Sequence, residues 1–494
     1  MTPSPATAAD NNNKSNSDGN NSSNDACSNS GSSSSSSSSR LLTRALILCT
    51  PTAQETKKIT AVAGRVKGLV EARAAALTTK EVADVVFGGS FAKGTWLRGD
   101  ADIDIFVKVR PDVDEKRFEE LGVKIGREAL AGFDPQLRYS DHPYVEAFVR
   151  GIRVNIVPCY DVEKGKWKSA ADRSPYHTQY IMQALGPEKK AQVRLLKKFL
   201  KSAGIYGAEI STAGFSGYVS EVLIAKYGSL EGVLRAAAAG FRQGHVIAVD
   251  EGRYDPDVAR GFSSPLVIID PVDPRRNLGT AISPESAGRL VLAARAFLKK
   301  PSVRFFAGYR PGRVDRRLLG NVLVAEFSHR KRSPDTIWGQ LKRSSNSLAK
   351  QLEIAGFTMF RHTCQTDEED RGAFAFLLES LTLPPYIVRK GPEIAMAKET
   401  ENFIAKSKKK KPPLAVWADR EMRVSMVTER NETDAGRLLK KLLQNPQSSG
   451  VAKDMIVTAK AKLEIYSGSG RKKMSKVARK AAYELASTES LIFS

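Results

Sequence analysis

Two carboxylates separated by one apolar residue, Asp102-Ile103-Asp104, follow a Gly89-Ser90 pair after eleven intervening residues. On a β-strand Asp102 and Asp104 project from the same face, while Ile103 and Ile105 turn to the opposite face and a core. Carboxylates held side by side repel unless a cation neutralises them, and hard oxygen donors suit Mg²⁺. The Gly89-Ser90 turn offers backbone N–H groups and a hydroxyl to a phosphate, with a helix starting just behind it. A phosphate holder beside a metal-binding strand is what nucleotidyl transfer needs. One ion serves the triphosphate and the leaving pyrophosphate, and a second serves the attacking hydroxyl. Asp102 and Asp104 can bridge both.

Periodicity supplies the elements that would position these groups. Thr52-Ala53-Gln54-Glu55 reads as a capping box opening a helix that runs to about Leu77. Strands are expected at Ala83–Phe87, Ile103–Val109, Tyr144–Val149 and Ile152–Val157, the last two joined by Arg150-Gly151. If that pair is a two-residue turn, Glu146 faces Asn155 on the same side of the hairpin. Helical periodicity dominates from about Pro187 to Tyr227, and another helix starts at Ser283-Pro284 and runs to Leu298. Farther on, a strand at Val322–Phe327, a helix at Trp338–Leu352 and strands at Phe357–His362 and Ala373–Leu381 follow one another. That β-α-β-β order predicts a small α+β layer of ferredoxin-like type. Lys406–Lys411 before Pro412-Pro413 reads as an exposed loop, and helices are expected near Asp434–Leu443 and Lys473–Leu485.

Composition sets the outer bounds. The 494 residues suffice for several hydrophobic cores, and a net charge of +23 points to a polyanionic partner. No apolar run approaches the ~18 residues of a membrane-spanning helix, and the first residues carry no secretory pattern. Cys27, Cys49, Cys159 and Cys364 lack paired or metal-ligand spacing, which fits a reduced cytoplasm. Residues 1–40, rich in Asn and Ser and ending in a serine run, read as a disordered tail.

The sequence resembles the archaeal (class I) CCA-adding enzymes, tRNA nucleotidyltransferases of the polymerase-β-like superfamily. The resemblance runs from about residue 41 onward through ordered blocks: Gly89–Leu97, the Asp102/Asp104 pair, Asp141–Val145, Val157–Tyr160, Ala171–His177, Arg194–Lys197, Gly204–Glu209, Gly214–Tyr218 and Asp270–Asn277. It implies an α+β multidomain protein with a catalytic head over 41–170, a helical neck and body over 171–305, and a tail over 306–494 with the ferredoxin-like layer. It implies template-independent addition of CCA to tRNA 3′ ends from CTP and ATP with Mg²⁺, gripping the acceptor stem and TΨC arm. Dimerisation stays open. By motif, Gly89, Ser90 and Lys93 would hold the triphosphate, and Asp102 and Asp104 the metals. Ser174, His177, Lys197 and Tyr206 would contact the nucleotide, and Arg276 would help recognise the base.

One position departs from the family pattern. The third carboxylate precedes the Val-Pro-Cys-Tyr segment by two residues in the family, and here that residue is Asn155. An amide oxygen can ligate a metal but carries no charge. The change is tolerated, or it inactivates, or another acid compensates, Glu146 being the candidate. Two further functions therefore stand beside CCA addition: a poly(A)-polymerase-like transferase using ATP alone, and an RNA-binding protein with an impaired site.

Overall fold

The structure, a computed structural model, describes residues 32–77, 80–252, 254–410, 412–452, 464–467 and 474–492. Helix α1 (Ser32–Cys49) precedes α2 (Ala53–Ala75), whose Thr52–Glu55 capping box is present with both reciprocal bonds. There follow β1 (Val82–Gly88), the one-turn helix α3 (Gly89–Lys93), β2 (Asp102–Val109), α4 (Glu115–Ala129), β3 (Gln136–Tyr139), β4 (Pro143–Val149) and β5 (Ile152–Tyr160). These strands form one sheet in the order β1-β2-β5-β4-β3. Only the β2/β5 pair in it is parallel; the other three pairs run antiparallel. One face is closed by α2 and α4. Val62, Val66, Val70, Phe118, Leu121 and Ile125 pack there against Ile103 and Ile105, both 0% exposed. The alternation read in Asp102–Ile105 is thus realised: apolar residues bind the sheet to α2 and α4, and the carboxylates stand on the opposite side. Arg150 and Gly151 both have positive φ, as a tight primed turn requires, and the register places Glu146 opposite Asn155 as expected.

The second unit is mainly helical: α5 (Arg173–Ala184), α6 (Pro187–Ser202), α7 (Gly217–Tyr227), α8 (Leu230–Gly240) and α10 (Pro284–Lys299). Between the last two lie α9 (Pro256–Arg260) and a two-stranded parallel pair of β6 (His245–Ile247) and β7 (Leu266–Ile268). The helical stretch expected over Pro187–Tyr227 is broken. Gly204 has φ +69°, and Ile205–Phe215 makes a loop closed by backbone bonds before Ser216 caps α7. Buried Leu196, Phe199, Phe215, Val222, Leu290, Phe297, Phe305 and Phe306 form the centre of this core. Helix α1 joins it through Ala45 and Cys49, and its start at Ser32 corrects the tail expected to residue 40. Once residues 41–49 are anchored, extending the helix back into the serine run needs no new nucleus. Residues 1–31 of that tail lie outside the described residues.

The third unit contains β8 (Val322–Ser328), α11 (Pro334–Ile354), β9 (Met359–Thr366), β10 (Arg371–Leu378), α13 (Ala435–Gln444), α14 (Pro446–Ser449), β14 (Glu464–Ser467) and α15 (Lys476–Leu485). Its antiparallel sheet runs β14-β8-β10-β9. Numbered within the unit, that order is 4-1-3-2, the arrangement of a complete βαββαβ layer rather than the first three-quarters of it. Helices α11 and α13 cover one face and α15 the other, so β8 and β10 are almost continuously buried. Inserted after β10 is a small sheet in which β11 (Tyr386–Glu393) and β12 (Ala415–Ala418) flank β13 (Arg423–Glu429). Helix α12 (Ala397–Lys410) packs Phe403 against Gly391 of that sheet. The lysines expected in an exposed loop extend α12 as far as Lys410, since Lys is a good helix former and Pro412-Pro413 lies beyond. Lys411 lies outside the described residues.

Candidate active site

Strand β2 and its neighbours make a row of polar side chains on the face of the sheet turned away from α2 and α4. Asp102 lies beside Arg153 and Asp104 beside Asn155 across β2/β5, and Glu146 continues the second row on β4. Gly88 pairs with Asp104 on the other side, which brings the start of α3 over the carboxylate. A Cβ added to Gly89, whose φ is +63°, would lie 1.8 Å from Asp104 Oδ2. Glycine is thus required both for the backbone conformation and for the close approach. Asn155 Nδ2 donates to Asp104 Oδ1 at 2.9 Å. Burial raises the Asp104 carboxyl above its usual range, against the lowering effect of that hydrogen bond. Arg153 Nε donates to Asp102 Oδ1 at 2.9 Å, and a terminal N–H of the same guanidinium donates to Oδ2. Glu146 is not free: Arg138 directs Nε and a terminal N–H to its Oε1 at 3.0 and 2.9 Å.

The donor set suits a hard divalent cation. It is all oxygen: two carboxylates and the side-chain carbonyl of Asn155, whose Oδ1 is buried without a hydrogen-bond partner among the described residues. A second cluster, Glu115, Glu119 and His142, lies on and beside α4, with His142 Nδ1 3.0 Å from Glu119 Oε1.

Behind α3 a buried charge network ties head to body. Glu221 of α7, 1% exposed in its side chain, accepts from Lys93 Nζ at 2.9 Å, Lys197 Nζ at 3.1 Å and Thr95 Oγ1 at 2.5 Å. Lys197 also donates to the Thr95 carbonyl and hydroxyl. Burial pushes the Glu221 carboxyl up, but Lys93, Lys197 and Thr95 outweigh it and hold it at about 2. Burial lowers the Lys197 ammonium. Lys197 therefore lies behind the site, as a strut. Tyr206 closes the same region, since a Cβ on Gly217 would meet Tyr206 OH at 3.1 Å and Lys197 Nζ at 3.5 Å. A lone acid inside the apolar run Val219–Ile224 was the available signal for Glu221.

From Lys93 the site continues into a cleft of about 1360 Å³ between α5, α7 and the segment 272–281. Lys93 Nζ lies 4.9 Å from the Tyr218 ring centroid, and Tyr218 stacks on His177 at 4.0 Å. Fully buried Asp270 accepts from the His177 Nε2 edge at 2.8 Å and from Tyr218 OH at 3.3 Å. Burial lowers the His177 pKa, with Lys93 and Arg276 acting in the same direction and Asp270 against them. Arg276 reaches toward the same carboxylate at 3.6 Å with its side chain 42% exposed. Ser174, His177 and Arg276 line the cleft; Asp102, Asp104, Ser90 and Lys93 do not. The predicted residues thus fall into three adjoining groups: the carboxylate row, the buried strut, and the cleft. Sequence reasoning missed Arg153, Thr95, Tyr218, Glu221 and Asp270 as individual participants.

Residues 70–177 match the family described as "Nucleotidyltransferase domain", 191–307 "tRNA nucleotidyltransferase, second domain", and 320–468 "CCA-adding enzyme, C-terminal domain". The CCA-adding enzyme of Pyrobaculum neutrophilum is 39% identical over 72% of this chain and 82% of its own length. That of Pyrobaculum aerophilum is 40% identical over the same shares. Among solved structures, a cytoplasmic RNA terminal U-transferase aligns at TM-score 0.43 and 15% identity, covering 54% of this chain and 95% of that one.

Proposed function

Because the chain belongs to the CCA-adding enzyme family, we propose that it adds C, C and A stepwise to tRNA 3′ ends without a nucleic-acid template. The nucleotides come from CTP and ATP, and pyrophosphate leaves. The observation that carries this reading is the Asp102/Asp104 row under Gly89, with Lys93 behind it beside Tyr218 of the Ser174–His177–Arg276 cleft. Mg²⁺ held by Asp102, Asp104 and the Asn155 carbonyl would supply Lewis-acid stabilisation of the triphosphate and favour ionisation of the attacking hydroxyl. Gly89 brings the start of α3 against Asp104, so the backbone N–H groups and the Ser90 hydroxyl of that turn would be the donors to the triphosphate. Lys93 and Lys197 share the Glu221 carboxylate and brace α3 from behind. His177 and the exposed Arg276 face the cleft, where a base and sugar would lie. The 3′-hydroxyl attacks the α-phosphorus as the bond to pyrophosphate breaks. Acceptor stem and TΨC arm would be held through phosphate contacts by the surplus of Lys and Arg.

The deciding test supplies purified protein with tRNA ending at its discriminator base, Mg²⁺ and CTP with ATP, and sizes the product. Three added nucleotides are expected, two with CTP alone. An ATP-only tail would favour a poly(A)-polymerase-like transferase. Asn155 and the Arg153-engaged Asp102 favour a second reading, an RNA-binding protein with an impaired site. Tight tRNA binding without any product would select it.

A further inference from the structure

We propose that Arg153 is a built-in counterion that keeps Asp102 from metal until a nucleoside triphosphate binds, so that metal and nucleotide load together. This rests on the reading of Asp102 and Asp104 as metal ligands. Arg153 and Asp102 are register neighbours on the parallel strands β5 and β2, and the guanidinium engages both oxygens of the carboxylate. A fork-on-fork pair of this kind is the geometry in which Arg binds carboxylate best. Asp104 is meanwhile engaged by the Asn155 amide at 2.9 Å. The row therefore carries two carboxylates, one guanidinium and one neutral amide, a formal charge of −1. Three carboxylates without Arg153 would give −3. A bare divalent cation gains far less from the first arrangement, and must also displace the guanidinium. A triphosphate arriving with the cation changes that balance, because it supplies the missing negative charge to cation and guanidinium alike.

The guanidinium is free to exchange partners. Its side chain is 46% exposed. Its neighbour across β4 is Phe148, itself 62% exposed and without charge. The anion next in reach on that strand is Glu146, diagonal to Arg153 and already sharing Oε1 with Arg138.

Titration of the full-length protein with Mn²⁺, followed by electron paramagnetic resonance without RNA, tests this with and without α,β-methylene-CTP. Wild type should bind Mn²⁺ alone weakly and more tightly with the analogue. Arg153→Gln should tighten Mn²⁺ alone by about fivefold, the scale of a partly exposed ion pair, and narrow the analogue's effect. Arg153→Lys, which keeps the charge but lacks the planar two-nitrogen fork, should fall between, and thermal melts would establish that each variant is folded. Asp102→Asn serves as the reference. If it weakens Mn²⁺ binding in the presence of the analogue while Arg153→Gln changes neither titration, the counterion role is overturned and the metal site stands. If Asp102→Asn leaves Mn²⁺ binding in the presence of the analogue unaltered, the metal assignment itself fails, and the counterion role with it.

Discussion

The site depends on the absence of a single methyl group. A Cβ at residue 89 would lie 1.8 Å from Asp104 Oδ2, and only a shift of the carboxylate or of α3 could relieve that overlap. Gly89→Ala should therefore lower the transfer rate by ~10²-fold or more, as misplacement by about 1 Å does in oriented sites. Its cost to stability should stay at ~1–3 kcal/mol, the price of a non-glycine residue in the left-handed region. Steady-state incorporation beside a thermal melt separates the two. Asn155 makes the complementary case. Its carbonyl is buried and unpartnered while its amide occupies Asp104, so Asn155→Asp puts a charge where a neutral donor stands. The rate should rise by ~10²-fold, with a lower Mg²⁺ requirement, by analogy with single electrostatic contacts in other active sites. Glu146, held by two N–H groups of Arg138, is poorly placed to substitute, and Glu146→Gln should cost under ~10-fold. A severe loss in Glu146→Gln with no gain in Asn155→Asp would reverse that assignment.

At the scale of elements, what the sequence made readable was local, and what it hid was long-range. Alternation in Asp102–Ile105 and the Arg150-Gly151 turn dictate strands, faces and the Glu146/Asn155 pairing, because each is decided within a few residues. Ser283, Asp434 and Ser475 all cap helices close to the expected starts. The fourth strand of the tail layer lies far along the chain from β10, beyond an inserted sheet, and no local pattern announces it. The Glu221 network is hidden for the same reason: its partners stand 128 and 126 residues away on α3 and its following loop, and 24 away on α6. Glu221→Gln leaves two ammonium groups in a dry junction and should cost about 3–5 kcal/mol. The carboxyl titrates near 2 in the folded chain against an ordinary 4.5. Its contribution is therefore complete above pH 4.5 and lost as pH falls toward 2. The stability gap between wild type and Glu221→Gln, followed by denaturant unfolding, should be widest near neutrality and close on acidification. A gap independent of pH would mean that Glu221 acts by packing rather than by charge.

At the scale of the whole molecule, charge and chemistry occupy different places. The chain carries +23, yet the cations nearest the carboxylate row are internally committed: Lys93 and Lys197 to Glu221, Arg153 to Asp102 and Arg138 to Glu146. The surplus must act elsewhere. Exposed Lys and Arg side chains, spread over the head, body and tail, are suited to phosphates along an extended nucleic acid rather than to one triphosphate. Binding of tRNA should accordingly be dominated by counterion release. A plot of log affinity against log salt should be linear, with a slope of about −0.9 for every duplex phosphate neutralised. Asp102→Ala and Asp104→Ala belong to the chemistry and not to this footprint. Each should leave the slope unchanged and affinity within about twofold, while incorporation falls to background. Filter binding from 50 to 300 mM salt on both variants and wild type tests the division. A flat response in wild type, or a slope that changes when either carboxylate is removed, would mean that RNA is held at the metal row itself and not by the surrounding basic surface.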